Sequence, residues 1–294
     1  MEDLHLNKSM LINNSDTCNE KIENHNELKV TVSLLTQENL QLKRQLEDRE
    51  KMEFERQKFI STFIHELNAP ITAIRGQIEG MIDEVGVYRN REKYLRKSND
   101  LIKEIELLVA EILQASNLGH YRFIPKLEAV NLQRLISEVV QQLKFFAVEN
   151  RIKIILRLEK VPNILIDYNL LKKAIKNIIH NAIMYSPTSE NVYISLKFDR
   201  VNTLIQLKVL NISVPITEKQ LIHVFKPFYR INKLKDKNKR GNGLGLYIVK
   251  QIFDMFSVKY SLKNTEKSVC FDIEIPIIEG TPNLYQEKLT YGQK

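Results

Sequence analysis

His65 is followed by Glu66 and, four residues further on, by Pro70, giving the string HELNAP. An imidazole beside a carboxylate can act as a nucleophile with an orienting base. Glu66 accepting the proton of one ring nitrogen leaves the lone pair of the other free to attack. A solvated surface histidine is the plainer reading of the same residues. A second grouping, Asn177-Ile-Ile-His-Asn181-Ala-Ile-Met-Tyr185, puts two amides four residues apart, on one face of a helix. Amide oxygens can ligate a hard cation such as Mg2+ together with phosphate oxygens. Two solvated asparagines fit that spacing as well. The third grouping is Arg240-Gly241-Asn242-Gly243-Leu244-Gly245-Leu246, directly before an apolar helical pattern. Glycines let backbone amides approach phosphates, and a helix N-terminus adds partial positive charge. It is neither a P-loop, which needs GK and then Ser or Thr, nor a Rossmann fingerprint, which follows a first strand. A flexible hinge shares the pattern. The run Lys233, Lys235, Lys237 and Lys239 just upstream is either a mobile lid that screens polyphosphate charge or a solvated loop.

These groups need elements to hold them. A heptad starts at Leu28, with Leu28, Leu35 and Leu42 at d and Val32, Asn39 and Leu46 at a. A lone asparagine at a favours a parallel dimer in register. Arg49, Glu53 and Arg56 weaken the seam, which recovers without a skip at Ile60, Phe63 and Leu67. In that register His65 falls at f, furthest from the seam. Pro70 is expected to kink the helix. A second helical pattern follows the Gly86–Asn90 turn, with Tyr94, Leu101, Ile105, Leu108, Ile112 and Leu118 at spacings of three, four and seven. Two such helices per chain, dimerised, make a four-helix bundle.

Beyond a linker the pattern alternates helices and strands. Asn131 and Asp167 are candidate helix caps. Strands are expected at 152–158, 192–198, 204–210, 258–262 and 269–275, and a last helix at 244–256. The antiparallel hairpins imply an α/β sandwich with one helical layer. The division is therefore a disordered tail (1–27), a coiled-coil signalling helix (28–58), a dimerisation and phosphotransfer domain (59–118), a linker (119–128), a catalytic domain (129–278) and a frayed tail (279–294).

Composition excludes little but narrows the field. The apolar fraction is 43% and the charged fraction 27% over 294 residues, normal for globular domains. Cys18 and Cys270 cannot form a disulfide framework or a zinc cluster. No window reaches the apolar length needed to span a bilayer, and no signal peptide is visible. A cytoplasmic, soluble chain is the expectation. The net charge of +8 is spread through helical segments, which does not single out nucleic acid as a partner.

Together HELNAP, NIIHNAIMYSP, FKPFYR (Phe225–Arg230) and GNGLGLYIVKQI, in this order, resemble the sensor histidine kinases of bacterial two-component systems. The resemblance covers about residues 50–277. GQIEGM at Gly76–Met81 and GVYRNREKYL at Gly86–Leu95 look more narrowly like the VanS-type, glycopeptide-responsive sensors. The resemblance implies a Bergerat-type ATP-binding fold, ATP and Mg2+ as cofactors, a homodimer, and a response regulator as partner. It implies His65 as phosphoacceptor with Glu66 as its base, Asn181 as Mg2+ ligand and Asn177 supporting the phosphates. Tyr185 would lie along the adenine, with Arg230, Gly241, Gly243 and Gly245 around the phosphates. Phe225 and Phe228 would anchor the lid or simply fill core.

Three positions depart from the family pattern. Where a DxGxG box usually contacts the adenine amine, this chain has Asn211-Ile-Ser-Val-Pro-Ile216. Asn211 can still accept from an amine, but Ser213 and Pro215 replace two glycines. Met184 stands where a lysine often precedes the tyrosine. Ala69 stands four residues after His65, where Thr or Asn is common, which implies weak dephosphorylation of the regulator. The reading is an ATP-dependent protein-histidine kinase. Its rivals are a pseudokinase scaffold and an ATP-gated clamp, the latter disfavoured because Asn177 replaces the carboxylate base it needs.

Overall fold

The computed structural model describes residues 3–118, 123–231 and 241–277. The expected lid run, with Arg240, and the C-terminal tail 279–294 lie outside the described residues, as do residues 119–122 of the linker.

Helix α1 spans Asp3–Ile82. It starts far upstream of Leu28, so a helix occupies most of the stretch expected to be a disordered tail. The reason is local. No glycine or proline occurs before Pro70, and extending a formed helix is far easier than nucleating one. Pro70 does not end α1, which continues for twelve residues beyond it. The residues up to His65 form one compact unit. Within it Val32, Leu35, Leu42 and Leu46 are 51–60% exposed, so the heptad stripe is an open apolar seam on this chain. Asn39 donates from Nδ2 to the Leu35 carbonyl at 3.0 Å, satisfying one amide proton within its own helix.

The second unit begins at Glu66. The end of α1 turns through a 3-10 segment, Gly86–Arg89, into helix α2 (Arg91–Leu118). The hairpin is closed by the Tyr88 ring lying on Gly80, where a Cβ would come within 2.5 Å of the ring. Ser98 Oγ also hydrogen-bonds Gln77 Oε1 at 2.8 Å. On α2, Leu108, Ile112, Ala115 and Leu118 are buried, and the helix touches α6, described below.

The remaining elements are β1 (Leu127–Val130), α3 (Leu132–Glu149), β2 (Lys153–Leu158), β3 (Ile164–Asp167), α4 (Tyr168–Tyr185), β4 (Asn191–Asp199), β5 (Leu204–Ile212), the single turn α5 (Glu218–Leu221), α6 (Gly245–Met255), β6 (Lys259–Asn264) and β7 (Ser268–Pro276). β1 takes residues assigned to the linker and pairs antiparallel with β3. Five strands form a mixed sheet in the order β2-β4-β5-β7-β6. The hairpin rule holds from β4 to β6, but β2 and β4 run parallel because β3 and α4 carry the chain across between them. Buried and half-buried residues alternate along β5, so one face carries the helices. That core joins Leu135, Ile136 and Val139 of α3, Ile175 and Ile179 of α4, Ile248 and Phe253 of α6, and Ile194, Leu196, Ile205 and Leu207 of the sheet. Asn131 caps α3 by accepting from the Arg134 N–H. Asp167 Oδ1 caps α4 at Leu170, while its Oδ2 accepts from the Lys126 N–H at 2.9 Å. One buried carboxylate thus fixes both the start of α4 and the chain entering β1.

Candidate active site

Helix α4 buries Ala174, Ile175, Ile178, Ile179, Ala182 and Ile183 in the core. Asn177, Asn181 and Tyr185, at steps of four, fall on the flank of that stripe. The two asparagines are half-buried and Tyr185 is 47% exposed. All three line a cavity of about 670 Å³, a volume suited to a nucleotide-sized ligand. On one side the cavity is apolar: Ile178, Ala182, Val209, Leu262, Val269 and Phe271, with Asn211 set among them. On the other lie Arg230, Gly241, Asn242, Gly243 and Gly245.

The glycine side is tightly built. Asn177 donates from Nδ2 to the Gly245 carbonyl at 3.1 Å, tying α4 to the first residue of α6. Gly243 has φ +71°, and a Cβ there would lie 2.7 Å from the Phe228 carbonyl carbon and 2.9 Å from the Tyr229 oxygen. Phe228 itself sits at φ +59° and is buried. The loop is therefore packed backbone against backbone on the FKPFYR segment. Phe225 meets Tyr260 and Phe271 edge-on, at ring centroid distances of 5.2 and 6.1 Å, and is half-buried.

Residues not foreseen from the sequence line or brace the walls. Asn264, on β6, brackets Ile216: its Oδ1 accepts from the Ile216 N–H at 2.9 Å and its Nδ2 donates to the Ile216 carbonyl at 2.6 Å. Nothing in the sequence signals that link, which crosses 48 positions. Thr217 and Gln220 form a capping box next to it; the T-x-x-Q spacing does carry that signal. The loop that replaces the DxGxG box is thus pinned. Glu111 reaches the cavity from α2, outside the segment read as catalytic, and hydrogen-bonds the Asn242 side chain. Burial raises its carboxyl above the usual range, and the Lys173 ammonium and the Asn242 bond oppose that rise.

His180, between the two asparagines, stacks on Phe146 at 4.5 Å between centroids. Burial, and then Lys176, hold its imidazole below the ordinary histidine range. In the unfolded chain the ring titrates near 6.5. Its contribution to stability is therefore complete above that pH and is lost as pH falls towards the lower folded value. Thermal melting at pH 7.5 and pH 5 should show a drop in midpoint that shrinks in His180→Phe, which keeps the stack and removes the titration. An equal drop in both proteins would exclude His180 as the source.

His65 and Glu66 stand on α1 and are not among the lining residues of the cavity. His65 is exposed, as its f position requires, and Glu66 is half-buried.

A mixed sheet under a helical layer, with a glycine loop opening a helix beside paired asparagines, defines an ATPase domain of the gyrase and Hsp90 type. Residues 166–278 match the family described as "Histidine kinase-, DNA gyrase B-, and HSP90-like ATPase". Residues 55–120 match the "His Kinase A (phospho-acceptor) domain". The chain belongs to the two-component sensor histidine kinases. It is 31% identical over 218 residues to the sensor protein VanSB of Enterococcus faecalis, covering 74% of this chain and 48% of that protein. The chain thus spans about half the length of the curated relatives it matches. Its fold resembles the Acinetobacter baumannii histidine kinase AdeS, with a TM-score of 0.58, 21% identity, and coverage of 72% of this chain and 97% of that one. It also resembles the histidine kinase ThkA in complex with the response regulator protein TrrA, with a TM-score of 0.59, 24% identity, and coverage of 74% and 61%. Among the described residues no helix is long and apolar enough to cross a membrane.

Proposed function

We propose that this chain is an ATP-dependent protein-histidine kinase that works as a homodimer. It transfers the γ-phosphoryl group of ATP to His65 and then to an aspartate of a response regulator. The observation that carries this reading is the cavity itself: paired asparagines on α4 facing a glycine loop at the start of α6, in a chain that also displays His65 beside Glu66. The open heptad seam supports the dimer.

The residues present fit the nucleotide and its metal. The apolar side takes a planar base, with Asn211 at its edge and Tyr185 alongside. The α6 N-terminus, the loop amides and Arg230 face the charged phosphates. Asn181 would supply one hard oxygen to Mg2+, the other positions going to phosphate oxygens and water. A bound Mg2+ would neutralise charge on the transferring group. In the transfer, the unprotonated ring nitrogen of His65 forms the new bond to phosphorus. The bond to the bridging oxygen breaks, and ADP leaves with that electron pair. Glu66 holds the proton on the other ring nitrogen and so orients the ring. The rest is positioning and electrostatics.

Incubation with γ-labelled Mg-ATP should place label on the protein that acid removes and alkali does not. Failure to label would favour the second reading, a scaffold with little turnover, which Ser213 and Pro215 in place of glycines support. Asn181→Asp changes the charge and donor capacity of the ligand beside the phosphates. Labelling should fall about 10²-fold with the melting temperature retained. Normal turnover would remove Asn181 from the mechanism.

A further inference from the structure

The family's usual aspartate beside the base is an ionised carboxylate, which only accepts hydrogen bonds. Asn211 is not so limited. It sits on β5 between Val192 of β4 and Val269 of β7 in the sheet register. It is 7% exposed, against 0% for Val192 and 5% for Val269, and it opens into the cavity. Ile178, Ala182, Val209, Leu262 and Phe271, which line the cavity with it, offer no hydrogen-bonding side chain; Ser213, Thr217 and Gln220 of the following loop and turn line it too, but carry no carboxylate. Glu111 is the sole carboxylate among the described lining residues, and it is bonded to Asn242 on the glycine side. The polar edge of a base on the apolar side therefore meets a carboxamide, not a carboxylate.

A carboxamide carries an acceptor and a donor on one planar head. With one orientation, Oδ1 accepts from the 6-amino group of adenine and Nδ2 donates to N1. Turned by half a revolution about its last torsion, Nδ2 donates to a 6-oxo group and Oδ1 accepts from N1–H. That torsion is broad and two-fold for asparagine. Little holds it here: Nδ2 lies 3.5 Å from the Ile212 carbonyl, at the outer limit of a hydrogen bond. No hydrogen bond to Oδ1 is formed among the described residues.

We propose that Asn211 lets the cavity accept 6-oxopurine nucleoside triphosphates alongside ATP. This rests on the nucleotide-binding reading of the same cavity. Inosine triphosphate is the probe, because its base differs from adenine only at position 6 and N1.

The test is calorimetric titration of the whole chain with Mg-ATP and Mg-ITP, for the wild type and for Asn211→Asp. The wild type should bind ITP within about thirtyfold of ATP, the scale of one bidentate base-edge contact. Asn211→Asp should widen the ratio of the two dissociation constants at least tenfold, whatever happens to ATP affinity itself, because carboxylate and 6-oxo group then oppose lone pair to lone pair. Melting curves establish that the variant folds; if it does not, the wild-type ratio alone decides. ATP binding with ITP weaker by more than thirtyfold would overturn the inference and leave the ATP reading standing. A ratio unmoved by Asn211→Asp would overturn the role of the carboxamide. Binding of neither nucleotide would overturn both readings.

Discussion

His65→Gln should end the uptake of acid-labile phosphate from γ-labelled ATP entirely, while nucleotide binding and the melting temperature stay at their wild-type values. The amide nitrogen of glutamine has its lone pair delocalised into the carbonyl, so it cannot form the bond to phosphorus. It is also a good helix former, and His65 is exposed, so neither packing nor α1 is disturbed. The cavity contains no atom of His65. The sequence has six histidines, and the described alternatives are poorly placed to substitute. His180 is stacked on Phe146, and the Nδ1 of His223 is buried. Acid-labile label on the His65→Gln protein would move the nucleophile elsewhere. Calorimetric titration with ATP separates that outcome from a general loss of the site.

Gly243→Ala should cost the chain its nucleotide with His65 untouched. Any side chain at φ +71° pays about 1–2 kcal/mol for the left-handed region alone. The added methyl would also meet the backbone of Phe228 and Tyr229 at 2.7–2.9 Å, and backbone cannot swing aside as a side chain does. Either the glycine loop lifts off or Phe228 leaves its buried position. Both movements displace the start of α6 from Asn177. ATP affinity should fall by at least about tenfold, the equivalent of 1.4 kcal/mol, with a lower melting temperature. Gly241→Ala is the control, since nothing lies within 4 Å of a Cβ there. Equal effects at both positions would show that loop flexibility, not this contact, matters.

Much of this was legible because it is local. Asn131 and Asp167 cap α3 and α4, as their side chains and positions suggest, and the apolar periods give α2, α4 and α6 to within a few residues. The spacing of Asn177, Asn181 and Tyr185 already puts them on one face. What stayed hidden was non-local. The β1–β3 pair joins two four-residue strands, too short to show a period. The parallel pairing of β2 with β4 depends on which edge the chain re-enters. Asn264 reads as an ordinary polar residue until the sheet brings it to Ile216, and Glu111 reads as a surface position of α2 until it meets Asn242. The early start of α1 is the opposite case: the periodicity there is weak, and the absence of glycine and proline is the better guide.

That uninterrupted helix also has an angular meaning. Between Asp3 and His65 there is no glycine or proline at which the backbone could bend cheaply. Each residue advances the helix by about 100°, so the bearing of the imidazole is set by the number of residues counted from the leucine stripe. One residue added between Leu46 and Ile60 would swing His65 about 100° around the axis, whereas seven would return it to within about 20°. Arg49, Glu53 and Arg56, which interrupt the apolar seam, lie inside that interval. In the proposed dimer the grip between two copies would be weakest there, and a small twist applied upstream would meet least resistance before it reached the histidine. On the proposed function the rod would work as a dial whose pointer is His65.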